Sequence, residues 1–77
     1  MTAKEQGKET RKKIYEFIVS YIKENEYPPT VREIGDGTGI KSSSTVYTHL
    51  VKLQDMGVIS TKEFAPRTIR VLSDLIE

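Results

Sequence analysis

Seventy-seven residues, 36% hydrophobic and 30% charged, make one small domain with a single modest core. The absence of cysteine and the presence of one histidine exclude a disulfide framework and a cysteine-based zinc site, and no carboxylate spacing suggests another metal site. Net charge is only +1, but it is unevenly spread: residues 1–13 carry +3, residues 14–38 carry −3, residues 39–71 carry +3 and residues 72–77 carry −2.

No apolar run approaches the roughly 20 residues of a membrane span. The opening MTAKEQGKETRKK is too charged for a secretory signal, so no membrane partner is expected and the expected location is the cytoplasm. Residues 1–8 show no periodicity and are expected to be a flexible arm. From Glu9 to Asn25, Ile14, Phe17, Ile18, Tyr21 and Ile22 fall on one face, which predicts an amphipathic helix. Tyr27-Pro28-Pro29 ends it, because a proline lacks the amide hydrogen and pushes its predecessor out of helical geometry. Thr30 and Glu33 have the spacing of a capping box and open a short second helix, with Val31 and Ile34 turned inward. Gly35, Gly37 and Gly39 weaken that helix, and Gly39 suits a left-handed turn.

A third helix is expected over 42–56, capped by Ser42 or Ser43 and closed by Gly57. Val46, Leu50 and Leu53 form its buried stripe, and Phe17 and Leu50 are expected to pack between the first and third helices. The opposite face carries Ser42, Ser44, Thr45, Tyr47, Thr48 and Lys52, short or aromatic hydrogen-bonding groups suited to contact rather than the long ion pairs of a solvated helix. Val58–Thr61 and Thr68–Leu72 then read as two strands, with Ile69 and Val71 inward and Arg70 outward. The loop KEFAPR joins them. Phe64 near its tip either folds back onto the strands or touches DNA or a partner. The expected fold is mainly α with a small β-hairpin: a winged helix-turn-helix of three helices plus a two-stranded antiparallel wing, spanning 9–72, followed by a tail over 73–77.

The run Tyr27 to Gly35, then Gly39-Ile40-Lys41-Ser42, Ser44-Thr45-Val46, His49-Leu50 and Lys52-Leu53, resembles the N-terminal DNA-binding domain of LexA repressors. Gly57-Val58-Ile59 and Arg67 to Leu72 are similar to the same family, so the resemblance covers about residues 9–72. It implies a bacterial, nucleoid-associated repressor of DNA-damage response (SOS) genes that binds double-stranded DNA at palindromic operators. The family's self-cleaving protease domain, with its Ser/Lys dyad, has no counterpart in these residues, so self-cleavage is not carried over. Thr38 stands where the family usually has an aliphatic residue, and Gly37 where it has a better helix former.

On this basis the third helix enters the major groove, with Ser42, Ser44, Thr45, Tyr47 and Thr48 as candidate base contacts. Lys41, Lys52, Lys62 and Arg67 are candidate phosphate contacts, joined by Arg32 and the Thr30 cap at the second helix. His49 is expected to be packed or to face a phosphate. Tyr47 stays equally open to a half-core role. No nucleophile–base pair, metal cluster or phosphate loop points to an enzyme, and no cofactor is implied. One copy in solution, or a weak dimer, and two copies on an operator are expected. A protein-docking winged helix and a short phage or paralogous regulator remain the alternatives.

Overall fold

The computed structural model describes residues 3–76. Residues 1–2 of the expected arm and residue 77 of the expected tail lie outside the described residues. Helix α1 runs Ala3–Asn25, α2 Val31–Thr38 and α3 Ser43–Asp55, followed by strands β1 Ile59–Ser60 and β2 Arg70–Val71. This is the winged helix-turn-helix order. Helix α1 starts at Ala3 rather than Glu9, because Ala, Lys, Glu and Gln are strong helix formers that need no apolar stripe to join an existing helix.

Helix α2 begins as its sequence dictates. The Thr30 side chain accepts the Glu33 amide at 3.1 Å, while the Glu33 carboxylate accepts the Thr30 amide at 2.9 Å. It ends at Gly39, left-handed at φ 78°, and the Gly35 carbonyl accepts the amides of Gly39 and Ile40. Gly35 itself is required: a Cβ there would meet the Ile40 carbonyl oxygen at 2.9 Å. Thr38, in place of an aliphatic residue, donates its hydroxyl to the Ile34 carbonyl at 2.6 Å and so satisfies itself within the helix.

All three helices pack on one another. The core is Ile14 and Ile18 of α1, Ile34 of α2, Val46, Leu50 and Leu53 of α3, and Val58, Ile59 and Ile69 of the wing, each at most 5% exposed. Phe17 departs from its expected place between α1 and α3. It is half-buried, tilted against Tyr21 with ring centroids 5.8 Å apart, and its ring occupies the space a Cβ at Gly37 would fill. Gly37 is therefore the close-approach point of α1 and α2.

The hairpin is antiparallel, pairing Ile59 with Val71 and Ser60 with Arg70. Its strands are shorter than expected because Thr68 intercepts the ladder: its hydroxyl accepts the Lys62 amide at 3.1 Å and donates to the Ala65 carbonyl at 2.7 Å. Ile69 points inward, but Val71 does not, being 36% exposed. Helix α3 packs on β1, and β2 lies outside β1 as the second strand of the sheet. The expected tail folds back on the helices. Tyr15 donates its hydroxyl to the Ser73 carbonyl at 2.8 Å, and Leu75 packs on the core.

Candidate nucleic-acid interface

Helix α3 owes its start to Ser42, whose side chain accepts the Thr45 amide at 3.4 Å. The serine hydrogen stays available to donate outward. No acidic residue occupies the first turn, so the positive end of the helix dipole is left uncompensated at the surface. With Val46, Leu50 and Leu53 buried, Ser42, Ser44, Thr45, Tyr47, Thr48 and Lys52 are all exposed on the same helix. Thr48 is partly committed: it donates its hydroxyl to the Ser44 carbonyl at 2.9 Å, leaving lone pairs and a methyl group for an external partner.

Arg32 and Lys41 are exposed and border, with Ser43 and Tyr47, an open groove of about 700 Å³ between α2 and α3. Two cations thus flank the helix-turn-helix at its N-terminal ends. The Thr30 side chain is spent on its own cap. Lys62 is exposed in the wing. His49 is turned away from the exposed row: it is half-buried, and burial, together with the charge of Arg11, holds its imidazole below the usual range.

Arg67 is exposed, its side chain 41% accessible, but its guanidinium is already committed to partners within the chain. Its two terminal nitrogens donate to the two Glu33 carboxylate oxygens at 3.0 and 3.1 Å, and Nη1 also reaches the Pro28 carbonyl at 3.1 Å and the Tyr21 hydroxyl at 3.3 Å. The guanidinium lies over the Tyr27 ring, 4.7 Å from its centroid. The hydrogen bond from the Thr30 amide and the Arg67 fork hold the Glu33 carboxyl down to about 2. The Tyr21 hydroxyl and Glu33 in turn hold the Arg67 guanidinium above its ordinary value. One carboxylate therefore starts α2 and fastens the root of the wing. Nothing in the sequence pattern announces this pairing, since residues 33 and 67 belong to no shared periodicity.

The wing turn is built from unusual backbone. Glu63 and Phe64 lie at φ 54° and 56°, where a residue with a Cβ gives up about 1–2 kcal/mol. Phe64 is thereby sent back towards α3. Its ring meets Tyr47 edge to face, with centroids 5.7 Å apart and planes at 81°. Phe64 folds back, but onto Tyr47 of α3 rather than onto the strands as one of its expected alternatives had it.

Among the described residues, no three His, Asp or Glu side chains are placed to hold a metal ion, and no helix is long and apolar enough to cross a membrane. The family model of the LexA DNA-binding domain matches residues 7–68. A LexA repressor of Listeria welshimeri is 53% identical over 60 residues, 78% of this chain and 29% of that protein. The LexA repressor of Syntrophomonas wolfei is 52% identical over 64 residues, 83% of this chain and 31% of its own length. That of Caldicellulosiruptor saccharolyticus is 45% identical over 71 residues, 92% of this chain and 35% of its own length. The chain thus spans about a third of the length of these curated relatives. With the capped helix pair, the exposed hydroxyl row and the short wing all in place, the chain belongs to the LexA DNA-binding domain family.

Proposed function

We propose that this chain binds double-stranded DNA sequence-specifically, as the DNA-reading part of a transcriptional repressor, with α3 lying in the major groove of an operator half-site. The observation that carries this is the exposed face of α3, where short hydroxyls stand beside an uncompensated helix N-terminus. Ser42, Ser44, Thr45, Tyr47 and Thr48 address base edges. Hydroxyls donate or accept there, and the methyl groups of Thr45 and Thr48 suit a thymine methyl. Arg32, Lys41, Lys52 and Lys62 sit along phosphates and fix the register without reading sequence. Thr30 contributes through the α2 N-terminus it caps, His49 only from the margin of the row, and Arg67 by holding the wing.

Selection of bound sequences from a random duplex library, repeated across a salt series, tests this. Ser44→Ala and Thr48→Ala should each change the preference at one base position, by about 1–3 kcal/mol. Lys52→Ala should instead weaken all sequences alike and reduce the salt slope by about 0.9. A selected motif unchanged in both hydroxyl variants would show that this face does not read bases. Retention on DNA that is insensitive to salt would point to a protein-docking role instead.

A further inference from the structure

We propose that Phe64, in the wing, is a positioning residue for base recognition: by packing edge to face on Tyr47 it sets the direction in which the tyrosine hydroxyl meets the DNA. This rests on the DNA-binding function proposed above. Tyr47 is 40% exposed on α3, beside the hydroxyl row. An unsupported tyrosine on a helix surface is free to exchange rotamers. Here one edge of its surroundings is occupied by the Phe64 ring at 5.7 Å and 81°, an arrangement that favours one orientation of the pair.

Phe64 is itself held from two sides. Its left-handed backbone at φ 56°, following Glu63 at φ 54°, sends the side chain back against the core rather than out from the turn. The turn's far end is fastened by Thr68, which bonds the Lys62 amide and the Ala65 carbonyl, and by the Arg67 fork on Glu33. The wing is thus braced against the helix-turn-helix, and the residue at position 64 transmits that bracing to a side chain on the reading face. The wing therefore influences base choice without touching the base concerned.

The test is selection from a randomised half-site library with the intact chain and with Tyr47→Ala, Phe64→Ala, Phe64→Leu, Phe64→Tyr and the Tyr47→Ala/Phe64→Ala pair. Nuclear Overhauser contacts between the two rings are measured in the free protein, and melting temperatures are recorded. Phe64→Ala and Phe64→Leu should lower discrimination by about threefold to tenfold, the range an aromatic pair's coupling allows, at the same base position that Tyr47→Ala alters. Phe64→Tyr, which keeps the ring, should retain the preference. The double variant should show the motif of Tyr47→Ala alone. Phe64→Leu fills most of the same space and keeps the test decisive if the alanine variant does not fold. Missing ring-to-ring contacts overturn the proposal, as does a motif indifferent to Tyr47→Ala or to both Phe64→Ala and Phe64→Leu. So does a change at a position Tyr47→Ala leaves alone, which would mean that the wing contacts DNA directly. If the intact chain selects no motif, the DNA-binding function fails. If a motif emerges and the Phe64 variants do not move it, only the role of Phe64 falls.

Discussion

Replacing Gly37 by alanine should destabilise this domain, against the ordinary rule for a helix. An exposed helix-interior glycine changed to alanine normally gains about 1 kcal/mol, because the glycine backbone is freer when unfolded. At Gly37 the new Cβ would meet Phe17 Cδ2 at 2.8 Å and overlap the outer ring atoms. To make room the half-buried ring has to shift from its present place against Tyr21, 5.8 Å away between centroids. Overpacking of this kind costs about 1–3 kcal/mol, so the net loss is about 0–2 kcal/mol, and each 1 kcal/mol lowers Tm by about 4–8 °C in a domain of this size. In a Phe17→Leu background the outer ring atoms are gone, and the same glycine-to-alanine change should stabilise by up to about 1 kcal/mol. Thermal and urea melts of the four proteins give the coupling directly. Equal stabilisation by alanine in both backgrounds would refute the packing of Phe17 over Gly37.

Leu50→Ala should cost about 3–4 kcal/mol and unfold much of the population, since Leu50 is wholly buried at the centre of the core; circular dichroism melts check it. Glu33 has a folded-state value depressed to about 2, so its stabilising effect is complete above the ordinary 4.5 and is lost as pH falls towards 2. Melts across that window should show a steeper acid loss for the parent than for Glu33→Gln. His49 is also depressed, so folding resists its protonation and stability should fall as pH drops through the ordinary 6.5; His49→Gln should flatten that segment of the curve. Sedimentation should return a monomer at micromolar concentration. Fusion to a dimeric partner through a flexible linker should tighten binding to a two-half-site operator by about 10²-fold, measured by titration on one and two half-sites.

Much of this architecture is written in local pattern. The stripe Ile14, Ile18 and Ile22, the Pro28-Pro29 stop, the Thr30–Glu33 box and the Gly39 and Gly57 turns each rest on interactions within one or two helical turns, which spacing alone can express. What could not be read there depends on distance in sequence. The Arg67 fork on Glu33 joins groups 34 positions apart, and Phe64 finds Tyr47 only once a left-handed turn has aimed it. Gly37 looks like a defect in the α2 pattern until the Phe17 ring from another helix is laid on it. The strands fell short for a similar reason: β-propensity favours Thr68 in a ladder, but its hydroxyl had a nearer amide to satisfy. The exposed face of α3 was legible as a row of hydroxyls, whereas the Thr48 donation to Ser44 and the inward turn of His49 depend on helix geometry and on α1.

The bond from Tyr15 to the Ser73 carbonyl, together with the packing of Leu75 on the core, acts as a strain relief on the chain. Beyond β2 the backbone is fastened to α1 before it leaves the domain. A load applied to that end, from a fused partner or a tether, meets this anchorage first, and the hairpin with its two paired positions is shielded. The wing and α3 can then keep their mutual alignment while whatever is attached moves, and the reach of any flexible tether is measured from the flank of α1, growing by about 5–6 Å times the square root of its residue count.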